Sequence, residues 1–167
     1  MSINLIACVD LQLGLGYQND LLVRLPNDLK RFKELTTGHF VVMGHNTFKS
    51  IGKHLPDRHN VVLTRKTKHD LPSDVYVYHS VEDVIFEYKN YANEEVELWV
   101  IGGESIYKQF LPHADKIYIT EVEHIFKNVD TFFPLLPPEW KQTKIIVNEK
   151  DEKHPYNYNY RLFERKN

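Results

Sequence analysis

Apolar positions along this chain come in short blocks rather than as single alternations. INLIACV, HFVVMG, NVVLTR, VYVYH, ELWVIGG and KIYITEVE are rich in β-branched residues. Their near-continuous apolar character predicts strands buried on both faces, the mark of a mostly parallel sheet. Between them lie helical or loop segments: the stretch RLPNDLKRFKEL, then NTFKSIG, SVEDVIFEYKNYA and ESIYKQFL. The pattern changes near the end, where WKQTKIIVNEK and YNYNYRLFERK flank the polar turn DEKHP and predict an antiparallel hairpin at one sheet edge. The fold class is therefore α/β, a mostly parallel central sheet flanked by helices, with a C-terminal antiparallel hairpin. No repeat, low-complexity run or linker divides the chain, so residues 1–167 read as one domain.

One helix carries a residue out of place. With its start near Pro26, RLPNDLKRFKEL puts Leu25, Leu29 and Phe32 on one face and Lys30, Lys33 and Glu34 on the other. Asp28 stands four residues before Phe32 and seven before Leu35, so the helical period aims its carboxylate into the apolar stripe. The ordinary reading is a first-turn acid that complements the helix dipole and caps free N–H groups. The other is a carboxylate held in an apolar pocket to meet a ligand.

Composition narrows the partners. A chain of 167 residues with 42% hydrophobic content can bury a full core without a disulfide or metal. The single cysteine, Cys8, allows no internal disulfide and points to a reducing compartment, the cytoplasm. MSINLIACVD has no basic leader and is too short an apolar run for a membrane span. A net charge of −2 argues against a nucleic-acid or membrane surface as the main partner. Nine histidines invite a metal reading, but HExxH and zinc-type Cys/His spacing are absent, so no metal is expected.

Three strand ends carry anion chemistry. VVMG runs into HNTF, offering the N–H groups of His45, Asn46 and Thr47. LWVIGG ends at Gly102 and Gly103, whose missing side chains let a phosphate reach the backbone before a helix at Glu104 or Ser105. VVLTRK ends in Thr64, Arg65 and Lys66, a hydroxyl and two cations. Each has an ordinary reading as turn or solvated-end chemistry, and no G-x-G-x-x-G is present. Together they describe two anion sites and a cationic one, suited to a dinucleotide with an extra phosphate.

Over essentially its whole length the chain resembles dihydrofolate reductases of bacterial or phage type, through MGHNTFKSIGKHLPDRHNVVLTR, WVIGGESIYKQFLP, RLPNDLKRFK and DTFFP in that family's order and spacing. The resemblance implies reduction of 7,8-dihydrofolate to tetrahydrofolate with NADPH, hydride passing to pteridine C6 while N5 gains a proton. It implies a monomer whose partner is that small substrate, while departures from the family pattern beside the pocket suggest an altered response to antifolates such as trimethoprim. By the same likeness the catalytic positions are Asp28, Thr120 and Leu21, with Asp28 meeting the 2-amino group and N3 of the pteridine. Ile6, Cys8, Leu29, Phe32, Ile51, Leu55 and Ile101 would line the substrate pocket and Arg58 would pair with the substrate's α-carboxylate.

On the cofactor side the likeness implies Leu15, Gly16, Asn19 and Leu21 on a closing loop. It places Gly44, His45, Asn46 and Thr47 with Gly102, Gly103, Glu104, Ser105, Ile106, Tyr107 and Gln109 around the pyrophosphate, across a cis Gly102–Gly103 bond. Leu63 to Lys66 would hold the 2′-phosphate end, and Cys8, Ile101 and Thr131 the nicotinamide half. The chain departs from the family pattern at Leu22 and Val23, where Pro-Trp is usual, at His45 for a common arginine, at His54 for proline and at Val129 for glycine. Two alternatives stay open on sequence: a riboflavin-pathway reductase on the same fold, and a reductase-like protein with a binding or structural role.

Overall fold

The computed structural model describes residues 1–67, 70–91 and 93–165. In chain order its elements are β1 (Ile3–Val9), β2 (Gly14–Tyr17), β3 (Asp20–Leu21), α1 (Pro26–Thr36), β4 (Phe40–Gly44), α2 (His45–Ile51), β5 (His59–Leu63) and β6 (Tyr76–Tyr78). There follow α3 (Val81–Tyr91), β7 (Leu98–Val100), α4 (Glu104–Phe110), a 3-10 turn (Leu111–His113), β8 (Lys116–Val122), β9 (Thr131–Phe132), β10 (Trp140–Asn148) and β11 (Tyr158–Arg165). Ala92 and Lys166, which close the predicted third helix and second hairpin strand, lie outside the described residues.

The apolar blocks become strands of an eight-stranded sheet in the order β10-β11-β8-β1-β7-β4-β5-β6. From β8 to β6 all pairings are parallel, while β11 joins β8 and β10 joins β11 antiparallel. Strand alternation sends neighbouring residues to opposite faces and builds a core on each. Leu5, Val42 and Val100 pack with Val84, Tyr88, Ile106 and Phe110 of α3 and α4. Ile6, Val41, Met43 and Trp99 pack with Phe48 of α2 and, at the margin, Phe32 and Leu35 of α1. Among the described residues no helix is long and apolar enough to cross a membrane.

Three features differ from the sequence reading. Leu29, expected on the buried stripe of α1, is 42% exposed, whereas Leu25 at the N-cap is buried with Val122 and Tyr158 in a separate cluster. Leu25 is extended backbone outside the helix, so the stripe does not run through it at helical phase. A second sheet of three short strands, β3-β2-β9, was not foreseen, because its pieces of two to four residues are too short to show an apolar pattern. The DEKHP turn sits inside a longer connection from Asn148 to Tyr158, closed by a backbone hydrogen bond from Asp151 N to His154 O of 2.9 Å.

Candidate active site

Strands β1 and β8 run side by side and place Cys8 opposite Thr120 at their carboxyl ends. The first turn of α1 crosses this point. Asp28 makes no helix cap there; its Oδ1 instead accepts a hydrogen bond from Thr120 Oγ1 at 2.5 Å, across 92 residues of sequence. Burial pushes the Asp28 carboxyl above its usual value of 3.8, and the Thr120 hydroxyl, the Arg31 charge and the Cys8 thiol each pull part of the way back. The Cys8 thiol is itself driven well upward, first by burial and then by the neighbouring Asp28 charge. A protonated thiol is a poor nucleophile, which suits the expected wall role. Arg31 lies over the Tyr160 ring, 4.0 Å from its centre, with Tyr118 5.8 Å away. Burial and the Asp28 charge push Tyr160 up to about 12.

The other predicted substrate residues border this point unevenly. Phe32, Leu55 and Ile101 are partly buried against one core cluster, and Ile6 is fully within it. Arg58 Nη1 donates to Thr36 Oγ1 at 3.1 Å, Nε donates to Pro56 O, and the guanidinium faces the Phe32 ring at 5.9 Å. Buried Asn60 holds the loop that presents Leu55 and Arg58 through bonds with Leu55 N, Leu55 O and Arg58 O. Leu29 and Ile51 are exposed apolar side chains.

On the far side of β1, β7 and β4 end together. Gly44 N donates to Gly102 O at 2.9 Å, and the Gly102–Gly103 bond is cis, as expected. The glycines have local reasons. Gly102 has φ +124°, and a Cβ on Gly44 would come within 3.1 Å of Ile106 Cγ1. Thr47 flanks the pair, its Oγ1 3.5 Å from where a Gly103 Cβ would lie. α2 opens with His45, Asn46 and Thr47, whose backbone N–H groups stand at the start of the helix. The side chains of Leu63, Ile106 and Tyr107 are buried, with the Tyr107 hydroxyl donating to Ile6 O at 2.6 Å. Glu104 accepts from Phe132 N, and Gln109 donates to Ser105 Oγ, so these side chains are occupied within the protein. Thr64 is buried, and Arg65 and Lys66 are exposed beside it at the end of β5.

The small sheet carries the remaining expected residues. Gln18 and Asn19, with φ +49° and +62°, form the two-residue turn between paired Tyr17 and Asp20, so Asn19 has a turn role of its own. Thr131 pairs with Gly16. Leu15, Leu21, Leu22 and Val23 meet Cys8 and Phe126 around a narrow pocket of ≈ 10 Å³, room for about one water. Of the departures, Val23 packs with Leu25, Val122 and Tyr158, His54 Nδ1 lies 2.5 Å from Asp74, and largely buried His45 lies 3.9 Å from Asp70. Val129 is not among the positive-φ residues, so its backbone does not ask for glycine.

Sequence reasoning passed over Asp10. It is 2% exposed and accepts hydrogen bonds from Gln12 N, Gly14 N and Phe126 N, fastening the β1–β2 turn to the loop after β8. The bond to Gln12, two residues on, is an Asx turn, and VDLQ carried that signal.

A half-buried carboxylate at one pair of strand ends and a glycine cradle at the next are the arrangement of a dinucleotide-dependent α/β reductase. The family model described as dihydrofolate reductase matches residues 2–165, and the chain belongs to that family. It is 38% identical over 166 residues to the dihydrofolate reductase of Staphylococcus haemolyticus, covering 99% of this chain and 96% of the relative. To that of Bacillus subtilis it is 37% identical, covering 99% and 95%. Dihydrofolate reductase from Enterococcus faecalis, solved in complex with NADP(H) and RAB-propyl, superposes with a TM-score of 0.91 at 32% identity, covering 99% of this chain and 97% of that one.

Proposed function

We infer that this chain reduces 7,8-dihydrofolate to tetrahydrofolate with NADPH, and the observation that carries the reading is the part-buried Asp28–Thr120 pair at the ends of β1 and β8. Bound NADPH supplies the hydride for pteridine C6. Asp28 accepts from the 2-amino group and N3, two parallel donors that a carboxylate meets in bidentate fashion. Thr120 and the Cys8 thiol hold that carboxylate in place. Its charge favours protonation at N5, which water delivers. Phe32, Leu55, Ile101 and Ile6 bound the pteridine and aminobenzoyl groups, with exposed Leu29 and Ile51 at the rim, and Arg58 meets the α-carboxylate.

The residues present fit the cofactor: a Cβ on Gly44 would crowd Ile106 and one on Gly102 would crowd Tyr107, which keeps the backbone there bare, and two cations follow β5. His45, Asn46 and Thr47 would hold the pyrophosphate and Thr64, Arg65 and Lys66 the 2′-phosphate. Leu15, Gly16, Asn19, Leu21 and Thr131 would cover the nicotinamide half. We take residues 1–167 to act as one cytoplasmic domain and a monomer, with no nucleic-acid or membrane partner, in keeping with a net charge of −2. Dihydrofolate-dependent loss of NADPH absorbance is the test. Turnover is the expected result, and NADPH binding without turnover would favour a binding role.

A further inference from the structure

The helix that carries Asp28 begins without a cap of its own. Leu25 makes no side-chain bond to the first turn, and Pro26 at the first position has no N–H, so Asn27 N is the first orphan donor. Its acceptor comes from the other end of the chain: Asn27 N donates to His154 Nε2 at 3.2 Å across 127 residues of sequence. The His154 side chain is 1% exposed and its Nδ1 lies 2.8 Å from Asp151 Oδ1. With Nε2 accepting, the ring must be the Nδ1–H tautomer, whose proton goes to the Asp151 carboxylate. Tyr158 completes the joint. Its ring stacks on His154 at 5.1 Å and its hydroxyl accepts from Asn27 Nδ2 at 3.1 Å.

We propose that His154 is a positioning residue for the reductase site, a helix cap supplied by the β10–β11 connection that fixes where the first turn of α1 presents Asp28. Asn27 directly precedes Asp28, and the Asp28–Thr120 bond fixes only the side-chain end of that turn; the His154–Asn27 bond fixes its backbone end. The hairpin thus sets the angle at which the carboxylate meets a pteridine while touching no substrate.

The inference rests on Asp28 being the pteridine anchor. It is tested first in the unmodified protein, where a 15N–15N coupling through the hydrogen bond should link the Asn27 amide to His154 Nε2. Its absence overturns the proposal. His154→Phe keeps a ring on Tyr158 but has no acceptor, and should raise KM for dihydrofolate by about fivefold, the scale of one lost cap, with NADPH affinity unchanged. His154→Gln, whose amide oxygen can accept, should recover most of the loss. A lowered melting temperature with unchanged KM, or an equal loss of NADPH affinity, would make the bond merely structural and overturn the proposal. A parent protein that does not turn over dihydrofolate would instead sink the functional reading itself.

Discussion

A carboxylate kept above its ordinary pKa weakens the native state at neutral pH. Between 3.8 and the raised value of Asp28 the folded protein binds more protons than the unfolded chain, so stability falls as pH rises through that window. The penalty is absent below 3.8 and complete above the folded pKa. Asp28→Asn should therefore unfold at higher urea than the parent at pH 7, and the gain should shrink as the solution is made acidic. Paired urea melts at neutral and acid pH check the sign. The same substitution should slow single-turnover hydride transfer on the order of 10²-fold and leave NADPH binding nearly intact. A variant both slower and no more stable would mean that the carboxylate is not desolvated. Helical spacing marked Asp28 as out of place beside Phe32 and Leu35 but left a first-turn role open, and its place in a ligand pocket came from the family resemblance. Thr120, as its hydrogen-bond partner, was legible only through the family resemblance, since nothing local in KIYIT points to a residue 92 positions away.

The loops over the cofactor side are organised by a single strand end. Asp10 accepts from three backbone N–H groups, so Asp10→Ala strands buried donors and should cost about 3 kcal/mol in urea unfolding. It should also raise KM for NADPH, because the β2–β3 hairpin and the loop at Phe126 lose their common tie. Val129 stands where the family pattern has glycine, but nothing in its backbone requires one. Its φ is not positive, so Val129→Gly relieves no strain and should only loosen the unfolded chain, lowering stability by about 0.5–1 kcal/mol with unchanged turnover. Steady-state kinetics and melts of the two proteins decide it. The middle of the large sheet was legible because β1, β4, β5 and β7 are buried apolar blocks; the small sheet was not, since pieces such as GLGY pair through backbone with little apolar surface to announce them.

For the molecule as a whole, a net charge of −2 gives no general attraction for an anionic cofactor, so preference for the extra phosphate must come from local cations. Replacing both Arg65 and Lys66 with Ala should cut the NADPH-over-NADH ratio of kcat/KM by about tenfold or more and leave the NADH value unchanged. In the parent, added salt should weaken NADPH binding more than NADH binding. A ratio insensitive to both changes would place the 2′-phosphate elsewhere. The sheet order also bears on how the chain is made. β1 is synthesised before the other strands of its sheet, yet its neighbours there are Leu98–Val100 and Lys116–Glu121. This largely buried strand must wait, apolar and unpaired, until most of the polypeptide exists, and every such long-range pairing closes a large loop before any contact rewards it. β1 is thus made well ahead of both its partners, and the nascent strand is a segment that a chaperone's shelter would serve.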